Sequence, residues 1–201
     1  MIIKDLSYDN KNDLFNVEFE NEVFKIDFNT YDKLRIKKND EINFDAYKII
    51  VDNNDYNMAK KKALDYLNYC PRTTFEIINK LKKEKYNQNI IDEVIKFLNK
   101  YNLLDDKKYI EDYINDKMTF NRMSKKKIAF NLKSKGLDSY LVDTLLNEVD
   151  EKIEYENCLY LLKKKIRGDL SFQMKQKAYR YLTYRGFSYD IISDCINEVF
   201  K

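Results

Sequence analysis

Leu132-x-x-x-Gly136-Leu137-x-x-x-Leu141-Val142-x-x-Leu145 and Leu182-x-x-x-Gly186-Phe187-x-x-x-Ile191-Ile192-x-x-Cys195 are one pattern written twice, 50 residues apart. A shift of 51 residues the other way places Leu81, Ile90, Ile91 and Val94 at the corresponding positions. Lys85 then stands where the other two copies have glycine, so the alignment predicts a different helix end there. Each copy has apolar residues three and four apart, the spacing of one helical face. A period near 50 residues with three helices per unit is that of a helical array, whose units bury their apolar faces partly against their neighbours. The expected shape is an elongated, curved array.

Helix starts and stops divide the copies further. Met58, Ala59, Ala63, Tyr66 and Leu67 form one helical face ending near Tyr69, before Pro71. Thr73-Thr74-Phe75-Glu76 then has the form of a capping box, ahead of Ile77, Ile78 and Leu81. Asn87, Asp105, Ser124 and Asp138 are placed to cap the helical patterns that follow them; further helical patterns follow Asp150 and Ser171, and Ser188 opens the last. Ahead of these units the period is near two. Leu14–Glu20 and Val23–Phe28 read as a hairpin turning at Glu20-Asn21-Glu22, with Ile2-Ile3 as its third strand. Two strands alone are marginal, so this element should pack on something. The fold class expected is mostly α: tandem three-helix, helix-turn-helix-like repeats with a small amino-terminal β-hairpin element. The boundaries drawn are 1–56 for the β-rich element leading into a helix, then 57–104, 105–149 and 150–201 for the three repeats.

Composition removes several chemistries. The 201 residues include no histidine, three glycines and three cysteines. A Ser-His-Asp triad, a Cys-His pair and a His-ligated metal site are therefore excluded, as are glycine-rich dinucleotide and phosphate loops. Cys70, Cys158 and Cys195 are too far apart for a C-x-x-C metal motif, and read as reduced thiols of a cytoplasmic protein. Met1-Ile2-Ile3-Lys4-Asp5-Leu6 meets charge too early for a signal peptide. No run of roughly 18 apolar residues is present, so no membrane span is expected. Asp105-Asp106 and Glu111-Asp112 lack a second converging carboxylate cluster, so no catalytic or metal site and no cofactor are expected there.

Charge is uneven along the chain. The net charge is +3, yet residues 1–56 carry 8 basic and 13 acidic side chains, leaving the rest at +8. Arg122, Lys125, Lys126, Lys127, Lys133 and Lys135 gather around one short helix; Lys163, Lys164, Lys165 and Arg167, then Lys175, Lys177, Arg180 and Arg185, gather in the next unit. Facing one way, they would suit phosphates or an acidic protein groove; facing several ways, they are a solvated exterior. Tyr179, Tyr181 and Tyr184 interleave with Arg180 and Arg185, a pattern compatible with base stacking and equally with core packing.

Several segments in this order resemble the RecX family of bacterial recombination regulators. They are Ala63-Leu64-x-Tyr66-Leu67, Pro71-Arg72-Thr73-x-x-Glu76-Ile77, Leu103-Leu104-Asp105-Asp106-x-x-Tyr109, Ile128-x-x-x-Leu132-x-x-Lys135-Gly136-Leu137 and Arg185-Gly186-Phe187-Ser188-x-Asp190-x-Ile192. Cys70 stands where the family commonly has arginine, and Ser124 where it commonly has glycine. The resemblance implies a non-enzymatic regulator, a cytoplasmic monomer without cofactor. It would bind RecA recombinase, above all the RecA filament on single-stranded DNA. It would modulate, chiefly by inhibition, filament growth, ATPase, strand exchange and SOS co-protease activity. Arg72, Arg122, Lys125, Lys126, Lys127, Arg180 and Arg185 are the residues expected to contact partner or DNA. A DNA-binding helical-repeat module acting without RecA is the alternative, and would show steeply salt-dependent binding to bare DNA.

Overall fold

A computed structural model of the chain describes residues 1–200. The polar residues ahead of each apolar pattern do cap helices. Asn43 opens α2 (Phe44–Tyr69), Thr73 opens α3 (Thr74–Lys83) and Asn87 opens α4 (Gln88–Lys100), each side chain accepting from a backbone amide of the first turn. Thr73 and Glu76 make both bonds of the capping box. Each such cap is worth roughly 1 kcal/mol. α2 ends at Tyr69 because Cys70, ahead of Pro71, is held in the extended region at φ −166° and ψ 161°.

The chain divides into two compact units, Met1–Leu104 and Asp105 onward. The first begins with an antiparallel sheet of β1 (Asp5–Asp9), β2 (Leu14–Glu18) and β3 (Val23–Ile26), in that order. Leu6 lies opposite Val17, and Val17 opposite Phe24. Two expectations need correction here. The third strand is Asp5–Asp9 and not Ile2-Ile3, whose backbone turns instead to residues 39–42: the Ile3 amide donates to Asp40 O and the Ile42 amide to Met1 O. The second hairpin strand also ends early. Asp27 caps α1 (Phe28–Leu34), a helix whose seven residues include no fully buried side chain.

The hairpin packs, as its size requires, on the first half of α2. Ile3, Val17, Phe19, Ile26, Ile36, Ile42 and Ile50 form one core. The outer edge of β3 is closed by side chains of α2 rather than by a further strand. Asn54 Oδ1 accepts from the Lys25 amide, Asn53 Oδ1 from the Asp27 amide, and Asn57 Nδ2 donates to Lys25 O. Backbone groups that would otherwise be open to a foreign strand are thereby occupied. The second half of α2 presents Ala59 and Ala63 to a separate core with Ile77, Leu81, Ile91, Val94 and Leu98 of α3 and α4.

The second unit holds two more three-helix sets. α5 (Asp106–Thr119), α6 (Lys125–Ser134) and α7 (Ser139–Asn147) enclose Ile110, Ile114, Ile128, Leu132, Val142 and Leu145. α8 (Glu151–Ile166), α9 (Phe172–Tyr184) and α10 (Tyr189–Val199) enclose Cys158, Leu162, Ala178, Leu182, Ile192 and Cys195. The three-fold repeat is thus a repeat of burial. Leu81, Leu132 and Leu182 are each fully buried, as are Ile91 and Val142, with Ile192 at 1% exposure.

The helix end at Lys85 does not differ from its equivalents. Lys85 has φ +66°, beside +75° at Gly136 and +91° at Gly186. The Tyr86 amide donates to Leu81 O at 3.3 Å, as the Phe187 amide does to Leu182 O at 3.3 Å. The turn is set by this six-residue bond and by burial of the leucine, and lysine accepts the left-handed strain. Lys85→Gly is therefore expected to stabilise the chain by roughly 0.5–1 kcal/mol, read as a raised melting temperature. An unchanged or lowered midpoint would show that the strain is absent.

Candidate partner interface and the junction behind it

The basic cluster at the start of α6 divides into residues that face inward and residues that face solvent. Ser124 caps α6, is fully buried, accepts from the Lys127 amide at 3.2 Å and donates to Arg185 O at 2.9 Å. Its hydroxyl therefore joins the second three-helix set to the helix end of the third. Arg185 returns the connection, its guanidinium donating to Asn121 O at 2.9 Å. Gly186 sits against this cap. A Cβ there would lie 2.7 Å from Ser124 Oγ and 3.5 Å from the Lys127 backbone.

Two further bonds complete the junction. Arg122 donates to Asn157 Oδ1 at 2.8 Å, lies over the Tyr160 ring at 5.2 Å, and is half-buried. Asn157, fully buried on α8, donates in turn to Met118 O at 3.0 Å, near the end of α5. The Lys125 amide donates to Glu154 Oε1 at 2.9 Å while its ammonium donates to Val149 O at 2.5 Å. Arg122, Lys125 and Arg185 thus meet at one place, and there they hold the chain to itself. Buried polar groups of this kind are satisfied or costly.

The remaining expected contact residues are distributed differently. Lys126 and Lys127 are exposed on the first turn of α6, with Lys127 5.3 Å from the Phe130 ring. Arg180 is exposed on α9 and lines a groove of about 510 Å³ with Phe172, Lys175, Tyr179 and Ile196. Arg72 belongs to the first unit, where its guanidinium stacks 4.0 Å from the centre of the Tyr66 ring and its Nε has no hydrogen-bond partner. Tyr179 and Tyr181 pack against the core of the third set, while Tyr184 is 88% exposed, so the interleaved tyrosines serve both of the uses their pattern allowed. Among the described residues no group of three or more Cys, Asp or Glu is placed to hold a metal ion.

Sequence reasoning passed over Glu154 and Asn157. The signal was present: both fall on the α8 face that buries Cys158 and Leu161, where an unpaired polar residue would be costly. Burial pushes the Glu154 carboxyl above its ordinary 4.5, against the lowering effects of the Lys125 amide and ammonium. A raised carboxyl pKa penalises the folded state above the folded pKa and not at all below the unfolded one. Glutamine keeps the acceptor without the charge. The advantage of Glu154→Gln over the native chain in thermal unfolding is therefore expected to be larger at about pH 8 than at about pH 4. Equal differences at both would count against a buried charge.

Three helical cores of the same plan, two of them joined by a polar junction, define a tandem helix-turn-helix-like repeat protein. Comparison with known families makes this specific. The profile described as RecX, first three-helix domain, matches residues 59–98; the second three-helix domain matches 105–146 and the third 152–196. The chain belongs to the RecX family. It is 34% identical over 167 residues to "Regulatory protein RecX" of Clostridioides difficile, covering 82% of this chain and 78% of that one. It is 32% identical over 200 residues to that of Finegoldia magna, covering 95% and 96%. Among solved structures, "Crystal structure of RecX from Lactobacillus salivarius" is 31% identical with a TM-score of 0.67, over 72% of this chain and 96% of that one. "Crystal structure of regulatory protein RecX" has a TM-score of 0.79 at 22% identity, over 98% of each chain, and supports the fold alone.

Proposed function

We propose that this chain is a monomeric cytoplasmic regulator that binds RecA, chiefly as the filament on single-stranded DNA, and restrains filament growth. Lower RecA ATPase, strand exchange and SOS co-protease activity would follow from that restraint. Membership of a family whose relatives are named regulatory proteins is the observation that carries this reading. The physical route is a population shift: a ligand that prefers one filament state biases assembly toward it.

The junction narrows the contact set. Lys126, Lys127 and Arg180 are exposed, with their charges in solvent, and are assigned direct contact. Arg122, Lys125 and Arg185 are assigned a positioning role, because their donors are used inside the chain. Arg72 is assigned contact from the first unit, through the face of its guanidinium opposite Tyr66.

The deciding experiment is binding of labelled protein to RecA–single-stranded-DNA filaments, free RecA and bare DNA at two salt concentrations, with RecA ATPase measured in parallel. Preference for the filament with a fall in ATPase is expected. Equal binding to bare DNA would favour the DNA-binding alternative, and an unchanged ATPase at saturation would remove the inhibitory role. Replacing Lys126, Lys127 and Arg180 together by glutamine is expected to weaken filament binding roughly 10–100-fold and to flatten its salt dependence. Unchanged affinity across salt would reject these three as contacts.

A further inference from the structure

Two of the three cysteines face each other inside the third helical set. Cys158 on α8 and Cys195 on α10 are both fully buried and belong to one core. The helices meet there in a definite register. Tyr155 OH donates to Glu198 at 2.5 Å, and Cys158 stands three residues on along α8 and Cys195 three back along α10, in the same core. Cys195 Sγ also lies 3.8 Å from Tyr155 O, one helical turn before Cys158. Packing alone does not call for a thiol at this place. The positions equivalent to Cys195 in the other two sets are Val94 and Leu145. Cys70, the remaining cysteine, is half-buried at the end of α2 in the other unit.

We propose that Cys158 and Cys195 are a redox modification site, closing to an intramolecular disulfide when the chain meets a hydroperoxide. The neighbouring Cys158 thiol favours the thiolate of Cys195, while its own thiolate is disfavoured, which makes Cys195 the attacking sulfur. Its thiolate attacks one peroxide oxygen; the O–O bond breaks, the departing hydroxide takes a proton to become water, and a sulfenic acid remains. Cys158 then attacks that sulfur, the S–O bond breaks, and the thiol proton leaves with the hydroxyl as a second water. Two thiols have lost two electrons and the peroxide has gained them. Small oxidants reach the pair through local opening of α10 from α8. The closed bond ties the third helix of this set to its first, beside the exposed Lys163-Lys164-Lys165 cluster on α8.

The test uses the full chain with Cys70→Ser, so that the buried pair alone is read. After hydrogen peroxide, the chain is unfolded in a thiol-alkylating reagent and mapped by mass spectrometry. The expected result is loss of both alkylatable thiols, a peptide pair joined through Cys158 and Cys195 within one chain, and recovery of both thiols with dithiothreitol. A cross-link that fits the native helices should also raise the melting temperature by roughly 5–10 °C, reversed on reduction. Adding Cys195→Ser should abolish the cross-link, and Cys158→Ser should abolish it while leaving Cys195 oxidised. Thiols that stay alkylatable after peroxide, a disulfide formed only between chains, or a cross-linked chain that melts below the reduced one would each overturn the proposal.

Discussion

Gly186→Ala is expected to cost about 3 kcal/mol of stability, and Gly168→Ala only about 1 kcal/mol. Both glycines have left-handed backbones, at φ +91° and +88°, so the conformational penalty is shared. Their surroundings differ. A Cβ at Gly168 meets nothing within 4 Å, whereas at Gly186 it meets Ser124 Oγ at 2.7 Å. That oxygen cannot retreat freely. It accepts from the Lys127 amide and donates to Arg185 O, so moving it forfeits the cap of α6 and the bond that joins the two three-helix sets. A lost cap is worth about 1 kcal/mol and an unsatisfied buried group about 1–3 kcal/mol. Thermal unfolding measures both variants, with a midpoint drop of roughly 2–4 °C per kcal/mol at this chain length. Ser124→Ala sharpens the test by removing the obstructing oxygen. In that background Gly186→Ala should cost about 1 kcal/mol, as at Gly168, and the double-mutant cycle should show the two sites coupled. Equal costs at Gly168 and Gly186 in the native background would mean that backbone strain alone explains the glycine.

The same pair of residues marks how far sequence could go. Periodicity and caps are local, and they were legible: Thr73, Asn87, Asp105, Ser124, Asp138, Asp150, Ser171 and Ser188 all cap the helices they precede. Gly186 was legible as a helix end. Its second role, leaving room for Ser124, depends on residues 62 positions apart coming together, and no spacing rule contains that. α1 was missed because its seven residues include none that is fully buried, so no apolar stripe announces it. Lys85 was misjudged for a related reason: the hydrogen bond to Leu81 O sets the turn, and residue preference only adjusts its cost. The candidate site was the least legible part. A count of lysines and arginines cannot separate those whose donors are already engaged, as Arg122 on Asn157, from those that remain in solvent, as Lys126.

That separation has a measurable consequence at Asn157. Asn157→Leu keeps the branched shape and heavy-atom count of the side chain, at a larger volume, and removes two hydrogen bonds, leaving Met118 O and the half-buried Arg122 guanidinium without the amide that joins them. Stranding a half-buried charge and a buried carbonyl, with the added volume, is expected to cost about 3 kcal/mol, measured by chemical or thermal unfolding. If the exposed cations contact the filament, the junction decides where they stand relative to one another, since Lys126 and Lys127 lie on α6 and Arg180 on α9. At a temperature where the variant stays folded, Asn157→Leu should therefore weaken filament binding without changing the number of charges that bind. Its affinity should fall at every salt concentration by a similar factor, leaving the slope against salt as in the native chain. Loss of Lys126, Lys127 and Arg180 should do the opposite, lowering affinity most at low salt and flattening the slope. An Asn157→Leu variant that flattens the slope would place Arg122 among the contacts after all, because only a lost charge contact changes the salt dependence. A variant that unfolds more easily yet binds with native affinity would show that the junction holds the two helical sets together without setting the geometry of the interface.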